Sequence, residues 1–220
     1  MNNKIIVGVE GVSYSGKTTF CENAAFNNNV IIVNESPKFC GITIKVTDNK
    51  EEIIKNSELT LQIEEERTKY TSQQFKSNIL LFDRTIFSFI SISYAYYNTG
   101  MVNYYNDYID QIIDGIKNKV YLVPDYLIYL EVTEEETLKR MQRKKKNLPE
   151  YWLSPKFKNS ICELMSKIVN VYQVNNRFIH YDEFEKFLNK NKFTKIDSYA
   201  IINLLLEMKI WIIYLVKLIM

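Results

Sequence analysis

The stretch "VGVEGVSYSGKTTF" (residues 7–20) limits what this chain can fold into more than any other. Gly11, Gly16, Lys17 and Thr18 complete the pattern GxxxxGK[ST], directly after an apolar, strand-like run and directly before helix-like text. Glycines at those positions let the backbone fold back so that successive N–H groups point into one concavity, and the following helix adds the positive end of its dipole. An oligophosphate fits such a cradle. Lys17 is expected to bridge the β- and γ-phosphates and the Thr18 hydroxyl to ligate Mg2+. Thr19 supports the α-phosphate side, and Ser13 and Ser15 complete the ATP-binding loop. ATP and Mg2+ are the cofactors that this motif implies.

The rest of the chain repeats the alternation that surrounds the motif. "KIIVGV" (4–9), "NVIIVNE" (29–35), "NILLFDR" (78–84), "PDYLIYLEV" (124–132) and the weaker "NKFTKID" (191–197) read as short strands separated by stretches long enough for crossover helices. The expected fold class is α/β, a doubly wound, five-stranded parallel sheet in one domain spanning residues 1–220. Helices are predicted over 57–75, 104–119 and about 134–145, the last opened by a Thr133/Glu136 capping box. The apolar segment 199–220 has "IWIIYLV" (210–216) as its longest unbroken run, too short to span a bilayer, so it is expected to form a last helix packed on the sheet. A membrane- or partner-binding tail is the alternative.

Composition excludes several classes. With 28 basic against 26 acidic side chains, the chain lacks the excess charge of a protein that neutralises many nucleic-acid phosphates. Cys21, Cys40 and Cys162 form no CxxC pair, which fits a reduced, cytoplasmic setting rather than a zinc site or a disulfide framework. No Asp is followed by Gly three residues later, as a switch GTPase requires, although "TKID" (194–197) resembles a guanine-reading segment. No LSGGQ-like transporter signature is present either.

In "LLFDRTIFSFISISYAYY" (80–97) an Asp-Arg pair closes an apolar strand and opens a helix. Open α/β sheets bind ligands at the C-terminal strand edge, so Asp83 and Arg84 are expected beside the cradle. Asp83 can hold Mg2+ through water; Arg84 can grip an acceptor phosphate or the γ-group in transit.

On these residues the chain resembles the thymidylate kinase and deoxynucleoside kinase superfamily of P-loop kinases. "VEGVSYSGKTT" is similar to that family's EGxxxxGK[ST]T start, with Glu10 before Gly11; "NESP" (34–37) falls at its Glu-Pro position; "DRTIFS" (83–88) matches its DR/ER motif, Ser88 included; and 124–146 resembles its passage into a basic lid. The resemblance implies a nucleoside monophosphate kinase-like fold. It implies that Glu35 contacts the acceptor's 5′ end and, for a nucleoside, takes the hydroxyl proton. Arg140 and Arg143 belong to a lid over ATP, about 141–156. Arg143 is the expected catalytic partner of Lys17, because the loop insert "VSYS" has no basic residue. Arg67 resembles an arginine flanking the acceptor pocket, while three preceding acids leave a surface ion pair open. Phe87, Tyr94, Tyr96 and Tyr97 are candidates for base stacking or for core, and His180 has no partner pattern. Asn34 replaces the Arg of thymidylate kinases, and Lys38-Phe39 departs from the deoxynucleoside kinases.

The expected activity is ATP-dependent phosphoryl transfer to a nucleoside monophosphate or deoxynucleoside, thymidylate-type acceptors first. Kinases of other hydroxylated metabolites and a regulatory NTPase remain as alternatives. The expected partner is a small-molecule acceptor and not nucleic acid; homodimer formation stays open.

Overall fold

The computed structural model describes residues 4–28, 30–74, 78–143, 149–190 and 192–219, with side chains as far as Ile210 apart from that of Asn27. In chain order the elements are β1 (Ile5–Glu10), α1 (Lys17–Asn27), β2 (Ile31–Val33), α2 (Ser36–Cys40), α3 (Lys50–Gln73), β3 (Ile79–Asp83), α4 (Ile86–Asn98), α5 (Tyr105–Lys117) and β4 (Tyr126–Tyr129). There follow α6 (Glu134–Arg143), α7 (Glu150–Leu153), α8 (Pro155–Val174), α9 (Phe184–Leu188) and α10 (Tyr199–Ile219).

The strands are parallel in the order β2-β3-β1-β4. Every residue of β1 is buried, as befits a strand covered on both faces. On one face Ile5, Val7 and Val9 pack with Cys21 of α1 and Phe184 and Phe187 of α9. On the other, Leu127 of β4 meets a larger core built by α4, α5, α8 and α10.

The register brings the site together. Val9 pairs with Asp83 and Glu10 with Tyr129, so the loops after β1 and β3 leave the sheet side by side, at its C-terminal edge.

The fifth place in the sheet is filled differently from the expectation. Residues 192–197 form no strand; a single parallel bridge joins Leu127 to Phe178, with the Leu127 and Ile179 amides donating at 3.0 and 2.9 Å. The "TKID" backbone is engaged by side chains instead of by a ladder. Arg177 donates to the carbonyls of Thr194 and Lys195, each at 2.7 Å, and Asp125 accepts from the Ile196 amide at 3.1 Å.

Helix starts follow their caps. Asn49 accepts from the Glu52 amide at 3.0 Å, which starts α3 ahead of the predicted residue 57. Thr133 caps α6 through the Glu136 amide at 3.2 Å, but the Glu136 carboxylate turns forward to Arg140, so only half of the capping box forms. Ser154 caps α8, with Pro155 at its first position. The last helix packs on α5 and α8 rather than on the sheet, burying Ile201, Ile202, Leu205 and Met208. Among the described residues, no helix is long and apolar enough to cross a membrane.

Candidate active site

The cradle forms as its glycines require. Gly11 has φ 147° and Gly16 φ 100°, both unfavourable for other residues, and a Cβ at Gly11 would stand 2.5 Å from the Leu130 carbonyl oxygen. Tyr14 adopts φ 65° without being glycine. Lys17 is buried, and its ammonium donates to the carbonyls of Gly11 (2.9 Å) and Val12 (2.7 Å) and to Ser15 Oγ (3.1 Å). Burial, and then the nearby Arg84 charge, pull its pKa down to about 7, against the opposing charges of Glu10, Asp83 and Glu35. Ser13 is half-buried in the loop, and Thr19 is exposed on α1.

The two expected metal ligands meet. Thr18 donates to Asp83 Oδ2 at 2.6 Å, while Asp83 Oδ1 is buried without a hydrogen-bond partner. An unsatisfied carboxylate oxygen beside a hydroxyl suits a hard cation that takes its remaining ligands from water and phosphate, so this pair fits Mg2+. Among the described residues no cluster of three or more His, Cys, Asp or Glu could hold a metal by itself.

Glu10 organises the space between the two loops. Its Oε1 accepts from the Thr85 amide (2.8 Å) and hydroxyl (2.7 Å), and its Oε2 from the Ser88 hydroxyl (2.6 Å), which satisfies a carboxylate that is only 1% exposed. Thr85 in turn caps α4. Arg84 sits at φ 63°, a conformation that costs on the order of 1–3 kcal/mol in a non-glycine residue. Its amide is held by the Val9 carbonyl at 3.1 Å; its Nε donates to Glu35 Oε2 at 3.1 Å and its other nitrogen to Ser88 Oγ at 3.1 Å. Glu35, at the entrance to α2, is thereby brought next to Arg84, as expected.

Two of the expected arginines stand elsewhere. Arg67 is neither on the surface nor in an open pocket. It is fully buried, paired with Glu64, and donates to the carbonyls of Val33 (3.4 Å), Asp83 (3.3 Å) and Arg84 (2.8 Å), because β2 and β3 end there with carbonyls that α3 must satisfy. Of the two arginines expected to belong to a lid, Arg140 rather than Arg143 reaches the cradle. Arg140 donates to the Tyr14 carbonyl at 3.1 Å and pairs with Glu136 at 2.7 Å, whereas Arg143 is exposed at the end of α6. The two stand about 60° apart on the same side of α6, and Arg143 lies about 4.5 Å farther along the axis, at the helix end. Of the expected lid, residues 144–148 lie outside the described residues.

Phe87, Tyr94 and Tyr96 are core side chains, and His180 is exposed beside Phe178. Sequence reading assigned no role of its own to Glu10. Its partners are 75 and 78 residues away, and the one signal was its place beside Gly11. A cavity of about 260 Å³ lies next to this cluster, between the cradle, α4, α6, α7 and α8.

No protein-family model matches the sequence, and no curated protein matches it. Solved structures do. The chain is similar to deoxyadenosine kinase from M. mycoides with bound dATP, at TM-score 0.63 and 16% identity over 84% of this chain and 100% of that one. A structure of the same enzyme with the products dCMP and a flexible dCDP gives 0.58 and 19%, over 93% and 98%. Thymidylate kinase from Candida albicans gives 0.60 and 14%, over 89% and 99%. At these identities the likeness establishes the fold: the chain is an α/β protein with the parallel-sheet architecture of the P-loop nucleoside and nucleotide kinases.

Proposed function

We propose that this protein is an Mg2+-dependent kinase that transfers the γ-phosphate of ATP to a hydroxyl group of a nucleoside. The observation that carries the reading is the Arg84 guanidinium, held between Glu35 and Ser88 and level with the Thr18–Asp83 pair. The cradle amides and Lys17 hold the β- and γ-phosphates. Bound at Thr18 and Asp83, Mg2+ would offset phosphate charge. Arg84 and Arg140 supply positive charge to the phosphoryl group in transit. Glu35, about a third exposed, accepts the proton as the acceptor O–H bond breaks and the new O–P bond forms; the bridging oxygen leaves with its electron pair on ADP.

Charge balance favours a hydroxyl over a phosphate as the acceptor group. Arg84 is already compensated by Glu35, and Arg67 is spent on main-chain carbonyls, so a phosphate dianion would meet the Glu35 carboxylate without an uncommitted arginine beside it. This moves the first choice from thymidylate-type acceptors to nucleosides.

Incubation with labelled ATP, Mg2+ and panels of nucleosides, nucleoside monophosphates and unrelated alcohols tests the reading. Label is expected on nucleosides. Label confined to monophosphates would reverse the acceptor assignment, and ATP hydrolysis without any labelled acceptor would remove the kinase reading.

A further inference from the structure

α2 cannot hold Glu35 in place by itself. The helix is five residues long, too short to be stable alone, and Glu35 flanks its N-terminus with a side chain 37% exposed. Arg84, its partner, stands at φ 63° and needs support as well. The two residues follow adjacent strands, β2 and β3, so whatever fixes those two stretches of backbone fixes where the carboxylate and the guanidinium meet.

The support comes from α3. Glu64 and Arg67 stand one turn apart on this 24-residue helix, paired with each other and only 5% and 0% exposed. On the Glu35 side they hold both flanks. The Ser36 hydroxyl donates to Glu64 Oε1 at 3.0 Å, and Arg67 makes a longer contact, 3.4 Å, to the Val33 carbonyl. On the Arg84 side the same guanidinium donates to the Arg84 carbonyl at 2.8 Å and to that of Asp83 at 3.3 Å. Ser36 is fully buried, and a hydroxyl taken out of water needs a partner; here it is a carboxylate whose charge Arg67 already balances.

The short contacts close a ring. From Glu35 it runs through the peptide bond to Ser36, across to Glu64, along the ion pair to Arg67, up to the Arg84 backbone, and out along the Arg84 side chain to Glu35 again. A general base must stand within hydrogen-bond reach of the proton that it takes, and a displacement of about 1 Å can cost about 10²-fold in rate. We propose that Ser36, Glu64 and Arg67 are positioning residues for phosphoryl transfer: their buried chain sets where the Glu35 base stands relative to Arg84. The assignment rests on the nucleoside kinase reading for the reaction that it serves, while the ring is open to measurement in the protein alone.

Ser36→Ala opens the ring at its mildest point, because it removes one hydroxyl and leaves the Glu64–Arg67 pair compensated; a thermal melt reports that the fold survives. Exchange of the Arg84 Nε proton with solvent, followed by NMR on the full chain and identified by its loss in Arg84→Lys, reads the ring without catalysis. It should be at least about fivefold faster in Ser36→Ala, while exchange of the Arg140 Nε proton, bonded to Glu136, stays at the native rate. Steady-state kinetics reads the reaction. Ser36→Ala should lower kcat for a nucleoside about tenfold with the KM for ATP within about twofold, yet change kcat by less than about twofold where Glu35 is already glutamine. Equal losses in the two backgrounds would reduce Ser36 to a structural residue and overturn the proposal, as would an Arg84 proton that exchanges at the native rate. Faster exchange in a protein that phosphorylates no nucleoside would uphold the ring and remove the kinase reading.

Discussion

The strand ends and the α6 arm reach the same phosphate cradle by opposite means. At the strand ends, Glu10 and Asp83 are 1% exposed and Lys17 5%, and their partners come from the cradle loop, α1 and the start of α4. α6, in contrast, buries none of its residues and touches the cradle through one hydrogen bond from Arg140 to a carbonyl. The first arrangement keeps charged groups in fixed positions before any ligand arrives, which is how electrostatic catalysis avoids reorganisation during the reaction. The second can be remade at small cost, as the proposed closure over the donor requires. The difference predicts that substitutions at the strand ends act on the chemical step and substitutions on α6 act on closure.

The largest effect should come from the buried side. Lys17→Ala is expected to lower kcat by about 10³-fold or more, since it removes the cation in the cradle, and steady-state phosphoryl transfer measures it. Glu35→Gln should lower kcat by about 10²-fold for a hydroxyl acceptor, the usual contribution of a general base, while ATP affinity by calorimetry stays within about twofold. Equal loss for nucleosides and monophosphates would remove its role as base. On the exposed side, Arg140→Ala should cost about tenfold in kcat/KM, the value of one charge-assisted hydrogen bond, and Arg143→Ala less than about threefold. The reverse order would restore Arg143 as the lid residue.

Acidity sharpens the contrast further. Burial lowers the Lys17 pKa to about 7 in the free protein, and polyphosphate favours its charged form, so ATP binding should take up a proton above that pH. ATP affinity is then expected to fall several-fold between pH 7 and 8.5, with proton uptake read by calorimetry in buffers of different ionisation enthalpy. For the unliganded fold the sign is opposite. The unfolded chain holds this proton up to its ordinary lysine value, so the group's contribution to stability rises with pH from about 7 to about 10.5. The smallest effect is at Tyr14, where φ 65° strains a side-chain-bearing residue; Tyr14→Gly should raise unfolding free energy by about 1 kcal/mol at most in urea melts.

What could be read from the chain alone follows the range of the interactions. The cradle, the parallel strands and the Thr133 cap are local patterns, each readable within a dozen residues, and the Thr18–Asp83 pair came from two such patterns at one sheet edge. The start of α3 was missed because Asn49 caps a polar first turn, "KEEIIKNS", with little apolar periodicity. The fifth sheet position was misassigned because Phe178 contributes a bridge of one residue, while the better-looking "NKFTKID" has its backbone held by Arg177 and Asp125. Arg67 carried three acids before it, and nothing in that text distinguishes a surface pair from a buried one; only the depth of α3 against β3 does. The choice of Arg143 over Arg140 came from family position, which does not say which turn of α6 lies against the loop.

Arg67 also bears on how the molecule moves. Its guanidinium joins a helix to the last carbonyls of two strands, and it is buried with its Nε unpartnered, so any separation of α3 from the sheet would strand a charge in an apolar interior beside Phe82. The helix and the strand ends are therefore one mechanical body. Amide exchange at Val33, Asp83 and the Arg67 turn of α3 should occur in a single opening event, close to that of global unfolding, while α6 exchanges through far smaller fluctuations.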